Sequence, residues 1–204
     1  MPINGAPLFD VVPVPWEAPD PGAFDGLLIG SANVFRKGGD ALHRLRELPV
    51  LAVGATTADC ARDAGFVVAR VGTGGLQTVL SQVEGPARLL RLCGEDRVAL
   101  TPPEDVRIEE RVVYRVEARP FPKALMQDLR SGAIVLLHSA AAARHFAAEC
   151  DRRGIARQGI AIAALGPRIA EAAGSGWRKL AWPETPDDPA LLALVGDMWQ
   201  ELGP

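Results

Sequence analysis

Tyr114 is the only tyrosine in a chain of 204 residues. A phenol is a weak acid that can hand a proton to a departing hydroxyl group. The surrounding run from Glu109 to Arg119 alternates in polarity, so an extended strand is expected to present this side chain. A tyrosine half-buried in a strand for packing alone is the competing reading. A second kind of chemistry is carried by four short turns: Gly30-Ser31-Ala32-Asn33, Gly54-Ala55-Thr56-Thr57, His138-Ser139-Ala140-Ala141 and Gly166-Pro167-Arg168. Each follows an apolar run and opens a helical pattern. Small residues at such a place leave main-chain N–H groups approachable, which suits an anion such as a carboxylate. The candidate binding residues are therefore Ser31, Ala32, Asn33, Thr57, Ser139, Ala140, Gly166, Pro167 and Arg168. Any one turn is better explained by close strand–helix packing; four in matching positions argue for a divided anion site.

Other chemistries find little support. His43, His138 and His145 have no partners at metal-ligand spacing, so no metal is expected. His138 and Ser139 evoke a hydrolytic pair, but neighbours on a strand point to opposite faces, and no Gly-x-Ser-x-Gly elbow is present. Gly72-Thr73-Gly74-Gly75 lacks both the dinucleotide fingerprint and the Gly-Lys-Ser/Thr ending of a phosphate loop. A receiver-like domain would need acidic residues at its strand ends to hold Mg²⁺, and these turns carry none.

The elements that must position these residues repeat. The run Gly26–Asn33 returns as Gly132–Ala141, Val50–Gly54 as Ile162–Gly166, and Gly65-Phe66 as Gly176-Trp177. The offset is 108 from Ser31 to Ser139, 112 from Gly54 to Gly166 and from Ala58 to Ala170, and 111 from Gly65 to Gly176. Two copies of one strand–turn–helix plan follow, each close to a domain in size. Buried strands are predicted over 27–30, 50–53, 66–71, 88–92, 134–137, 159–165 and 179–182. Helices are predicted over 33–46, 58–64, 76–83, 124–131, 140–153, 167–173 and 190–202, with a short helical segment beginning at 98–100. Strands alternating with helices at this spacing predict parallel α/β sheets of the doubly wound, Rossmann- or flavodoxin-like kind. Residues 8–15, rich in proline, read as an edge-like strand. Residues 112–120 read as a second extended strand, and the two together as a connector between a lobe at 16–111 and a lobe at 121–204.

Composition narrows the class. The formal net charge is −3 with acids and bases interleaved, which excludes a general nucleic-acid binder needing a basic face. No run approaches the roughly twenty apolar residues that span a membrane, and no secretion signal opens the sequence. The three cysteines are odd in number and far apart, which fits buried thiols in a reducing cytoplasm.

These residues together resemble uroporphyrinogen-III synthase over essentially the whole sequence. Phe24–Asn33 looks like that family's Asp-…-Phe-Thr-Ser-x-Asn/Ala-x-Val segment. Val53–Ala58 is similar to its Val-Gly-x-x-Thr-Ala turn, and Leu92–Arg97 to its Leu-x-Gly-x-x-x-Arg stretch. Val113-Tyr114-Arg115 resembles its connector tyrosine, Leu165–Ala170 its second turn, and Pro183–Leu191 its tail. The resemblance implies two α/β lobes joined by a two-stranded ladder, working as a monomer without metal or organic cofactor. It implies a substrate, hydroxymethylbilane, that is a linear octacarboxylate tetrapyrrole, and its closure to uroporphyrinogen III with inversion of ring D and loss of water. Tyr114 then matches the proton donor, Thr57 a turn threonine, and Ser31 and Ser139 the strand-end serines. The family also implies a strand and helix ahead of the connector, so the second lobe is expected without its first unit. The alternative expectation is a catalytically impaired relative acting as a two-lobed binding protein.

Overall fold

The structure, a computed structural model, describes residues 4–202. It divides into two compact units: Asp10–Glu117, and the chain on either side of it up to Phe9 and from Ala118.

The unit at Asp10–Glu117 is built on β1 (Phe9–Pro13), β2 (Gly26–Ile29), β3 (Val50–Val53), β4 (Val68–Gly72), β5 (Ala87–Gly94) and β6 (Val106–Ala118), with helices α1 (Asn33–Lys37), α2 (Ala55–Asp63) and α3 (Leu76–Leu80). Its sheet order is β1-β6-β5-β2-β3-β4. The pairs β2–β3, β2–β5, β3–β4 and β5–β6 are parallel. Leaving β1 aside and numbering along the chain from β2, the order is 3-2-1-4-5, the doubly wound arrangement. Alternation sends Leu27, Ile29, Leu90 and Leu92 into one core and Leu28 and Leu89 into the other. Both faces are covered, which is why β2 reads as an unbroken apolar run.

The other unit carries β7 (Ala133–Leu137), β8 (Ile160–Ala164) and β9 (Lys179–Ala181), with α4 (Lys123–Arg130), α5 (Ala140–Arg152), α6 (Pro167–Ala173) and α7 (Asp188–Leu202). Its parallel sheet runs β7-β8-β9. Along β8, Ile160, Ile162 and Ala164 face a core with Phe146 and Leu129, while Ala161 and Ala163 face Leu191, Val195 and Met198 of α7. This is the same strand order as β2, β3 and β4, so the internal repeat is one of topology as well as of sequence.

Several expected elements differ. The helix predicted over 33–46 stops at Lys37, and a 3-10 helix resumes at Asp40–Leu45. Gly39, at φ 64°, breaks it, a conformation in which glycine alone is unstrained. No helix forms at 98–100, where the following Pro102 and Pro103 favour extended backbone. The strand around Tyr114 also begins earlier than expected. Val106–Val112 pairs with β5, so its first half is part of the sheet, and its later part lies beside the edge strand β1. No helix among the described residues is long and apolar enough to cross a membrane.

Candidate active site

In a doubly wound sheet the crevice opens outside the carboxyl ends of the strands where the order reverses. Here that point lies between β2 and β5. A cavity of about 370 Å³ occupies it, walled by Gly30 and Ser31 after β2, by Leu92, Cys93 and Gly94 of β5, and by Tyr114 of β6. Gly75, Leu76 and Gln77 at the start of α3 and the segment Asp96–Val98 complete it. Tyr114 reaches the cavity because the parallel register places it beside Gly94, after a bulge between Cys93 and Gly94. Its carbonyl accepts from the Glu95 N–H at 3.0 Å. The ring is almost wholly buried in the core that includes Leu90, Leu92 and Val113.

A cluster of charge lies in the same wall. Arg91 sits within the apolar run Leu89–Cys93 and is 4% exposed. Its Nη1 donates to Glu110 Oε1 at 2.7 Å and its Nη2 to the Val98 carbonyl at 2.9 Å. Arg97 Nε donates to the other Glu110 oxygen at 2.8 Å. Burial pushes the Glu110 carboxyl up, but hydrogen bonds from Arg97 and Arg91 and their charges outweigh it, so the group is held below the ordinary carboxylate range. The Cys93 thiol is pushed up by burial, partly offset by Arg97. Arg91 Nε has no acceptor among the described residues. An orphaned buried donor costs about 1–3 kcal/mol, so its place in the cavity wall calls for an explanation.

Of the residues nominated from sequence in this unit, Ser31 and Tyr114 come together in the cavity wall. Ser31 Oγ accepts the Asn33 N–H at 3.2 Å. The Val34 and Phe35 N–H groups bond to the carbonyls of Ser31 and Ala32. The turn is therefore self-satisfied from Asn33 onward, and Ala32 packs into the core. Thr57 lies apart, buried in the first turn of α2, which begins at Ala55 rather than at the expected residue 58. That helix starts from Gly54 at φ 78°, with no side chain capping it.

In the other unit, Ser139, Ala140, Gly166, Pro167 and Arg168 gather at the carboxyl ends of the neighbouring strands β7 and β8, tied by the Leu165 N–H to the Leu137 carbonyl at 2.9 Å. Ser139 Oγ caps α5 by accepting from Ala142 N at 3.1 Å. This leaves the N–H groups of Ala140 and Ala141 without helical partners. At Gly166 the Ile169 and Ala170 N–H groups already bond to the Gly166 carbonyl, and Pro167 has none. Arg168, exposed, is the free-standing polar group of this turn. His138 bonds through Nε2 to Asp188 Oδ1 at 3.1 Å, while the Ser139 hydroxyl is committed as a cap, so no hydrolytic relay forms. Among the described residues no group of three His, Cys, Asp or Glu side chains is placed to hold a metal ion.

Sequence reasoning named neither Arg91 nor the Gly75–Gln77 turn as part of the site, and met Gly94 and Arg97 only within the stretch resembling the family, without a site role. A lone arginine inside a buried apolar strand was the available signal for the first. The others become visible only once strand order places β5 beside β2.

The family model described as uroporphyrinogen-III synthase HemD matches residues 6–193. Among solved structures, the uroporphyrinogen-III synthetase of Helicobacter pylori 26695 is similar at 17% identity and a TM-score of 0.62, covering 94% of this chain and 91% of that one. At this identity the likeness speaks for the fold. The Thermus thermophilus uroporphyrinogen III synthase is 18% identical over 92% of this chain and 85% of that one, with a TM-score of 0.44. Among curated proteins none matches the sequence.

Proposed function

The chain belongs to the uroporphyrinogen-III synthase family, and from that premise we propose the reaction it performs and the residues that carry it. It acts as a hydro-lyase of tetrapyrrole biosynthesis: hydroxymethylbilane, a linear octacarboxylate, closes to uroporphyrinogen III with inversion of ring D. The observation that carries this reading at the level of residues is the cavity at the switch point, where Tyr114 and the strand-end Ser31 share one wall.

In the proposed sequence of steps Tyr114 donates its phenolic proton to the terminal hydroxyl as the carbon–oxygen bond breaks. Water leaves, and the electron pair of the pyrrole nitrogen stabilises the resulting azafulvenium carbon. The substituted carbon of ring D attacks that carbon and forms a spirocycle. The spirocycle then opens and recloses at the other α-carbon, and a proton lost from that carbon restores the aromatic pyrrole and balances the one given at the start. Donation from a nearly buried phenol suits this role, because keeping water from the reacting carbon limits capture of the cation. The remaining task is positioning: a flexible chain must be bent until closure with inversion outruns simple closure. The strand-end residues Ser31, Ala32, Asn33 and Thr57 in one unit, and Ser139, Ala140, Gly166, Pro167 and Arg168 in the other, shape the carboxylate sites; the donors are the N–H groups and side chains left free there, and Pro167, which has no N–H, only sets its turn. The division into lobes at 16–111 and 121–204 with connector strands at 8–15 and 112–120 belongs to the same reading. So does a monomer in the cytoplasm, a setting that agrees with three free thiols.

The test supplies freshly prepared hydroxymethylbilane and resolves the I and III isomers of the oxidised product. Isomer III above the spontaneous background is expected; isomer I alone overturns the assignment.

A further inference from the structure

We propose that Arg91 is the carboxylate-recognition residue of the switch-point cavity, gripping one acetate or propionate group of the substrate side-on through Nε and Nη2. The proposal rests on the tetrapyrrole reading above and adds to it a specific anchor.

Three observations point there. First, an arginine fixed at 4% exposure inside an apolar strand has two of its nitrogens committed and its Nε without an acceptor. The Nη1 bond to Glu110 holds the guanidinium plane in one orientation, so the Nε/Nη2 edge, sealed from solvent here with the Val98 carbonyl on Nη2, is the edge a ligand takes once that carbonyl moves aside. That edge matches the two oxygens of a carboxylate. At present Nη2 binds the neutral Val98 carbonyl. A charged acceptor makes the stronger bond and displaces it, and Val98 is 79% exposed, on a segment that water can take over.

Second, the charges at this wall favour an anion. Two guanidiniums, Arg91 and Arg97, share the single Glu110 carboxylate. Asp96 also lines the cavity; it and Arg97 are both exposed, where solvent screens their charges, so the unscreened charge here is that of buried Arg91, whose partner Glu110 is shared. Third, the cavity of about 370 Å³ stands at the small end of ligand pockets. It suits one substituted pyrrole rather than a whole tetrapyrrole. Because Tyr114 is in the same wall, the carboxylate that Arg91 holds selects which pyrrole faces the phenol.

The competing role is purely structural, with Arg91 tying the segment at Val98 to β6. Equilibrium binding separates the two. The probes are uroporphyrin III, which keeps all eight carboxylates, and a porphyrin that keeps the four propionates but has methyl groups in place of the acetates. Wild-type, Arg91→Lys and Arg91→Met proteins are titrated with each, alongside thermal melts. Arg91→Met is expected to weaken uroporphyrin III binding by about tenfold to a hundredfold, with part of the loss recovered in Arg91→Lys. A loss for uroporphyrin III alone assigns an acetate, and an equal loss for both probes assigns a propionate; either supports the proposal. Folded Arg91→Met protein that binds both probes within twofold of wild type overturns it, as does wild-type protein that binds neither. If Arg91→Met does not fold, the double variant Arg91→Met/Glu110→Gln, which also neutralises the carboxylate that has lost one of its two arginine partners, is read by the same criteria. The isomer assay on wild-type protein judges the reaction independently of these titrations.

Discussion

Gly94 lies against the ring of Tyr114 so closely that a Cβ added to it would stand 2.7 Å from Cε2, 2.8 Å from Cζ and 3.0 Å from the hydroxyl oxygen. Its backbone φ is not in the left-handed region, so the requirement for glycine comes from the tyrosine and not from the turn. Gly94→Ala must therefore push the ring out of its place. Overpacking of this kind costs about 1–3 kcal/mol, and turnover should fall with it. Tyr114→Ala should relieve the clash, so the double variant should be more stable than the sum of the two single losses. Thermal unfolding of all four proteins measures this coupling; simple additivity would contradict the close contact.

Removing only the phenolic oxygen probes the proton transfer. Tyr114→Phe keeps the ring against Gly94, so folding should be unchanged. Turnover should drop by about 10²–10⁴-fold if general acid catalysis is lost, while product binding changes little. Thr57→Val should act more mildly, since Thr57 is buried in α2 away from the cavity wall. Steady-state rates beside product titrations separate these effects; equal loss of rate and binding in Tyr114→Phe counts against the acid role.

Gly54 offers a purely conformational test. It starts α2 at φ 78°, and a methyl group there would meet no atom within 4 Å. Gly54→Ala should therefore cost about 1–3 kcal/mol from backbone strain alone. Chemical denaturation would read that as a lower midpoint with an unchanged slope.

The buried Glu149 predicts the acid behaviour of the other unit. Its carboxylate accepts from the Phe121 N–H at 3.2 Å and pairs with Arg152 and Arg153. Burial raises its pKa, but the Arg152 hydrogen bond, the Phe121 N–H and Arg153 together lower it further than burial raises it. A carboxylate whose pKa is depressed by folding stabilises the native state above its unfolded pKa, and that contribution is lost as pH falls through the folded value. Glu149→Ala should thus destabilise by about 1–3 kcal/mol at neutral pH. It should also flatten the loss of melting temperature below the ordinary carboxylate range. Melting curves from neutral pH into acid, for both proteins, provide the check.

The apolar runs at Leu27–Ile29, Val50–Val53 and Ile160–Ala164, and the glycines after them, were enough to predict parallel strands and two related units, because burial on both faces leaves a local mark in the sequence. The helices starting at Ala140 and at Pro167 were legible for the same reason: each start depends on residues one to four positions away. The break at Gly38-Gly39 was also local, and reading hydrophobic spacing across it lengthened a helix that the backbone cannot continue. The cavity was different in kind. Gly94 meets Tyr114, and Arg91 meets Glu110, only because β5 lies between β2 and β6, and strand order is set by how whole faces bury against one another. Residue types along the chain decided that there would be carboxyl-end turns and a lone phenol. Packing alone decided that Tyr114, Ser31 and an arginine with an unused donor would share one wall.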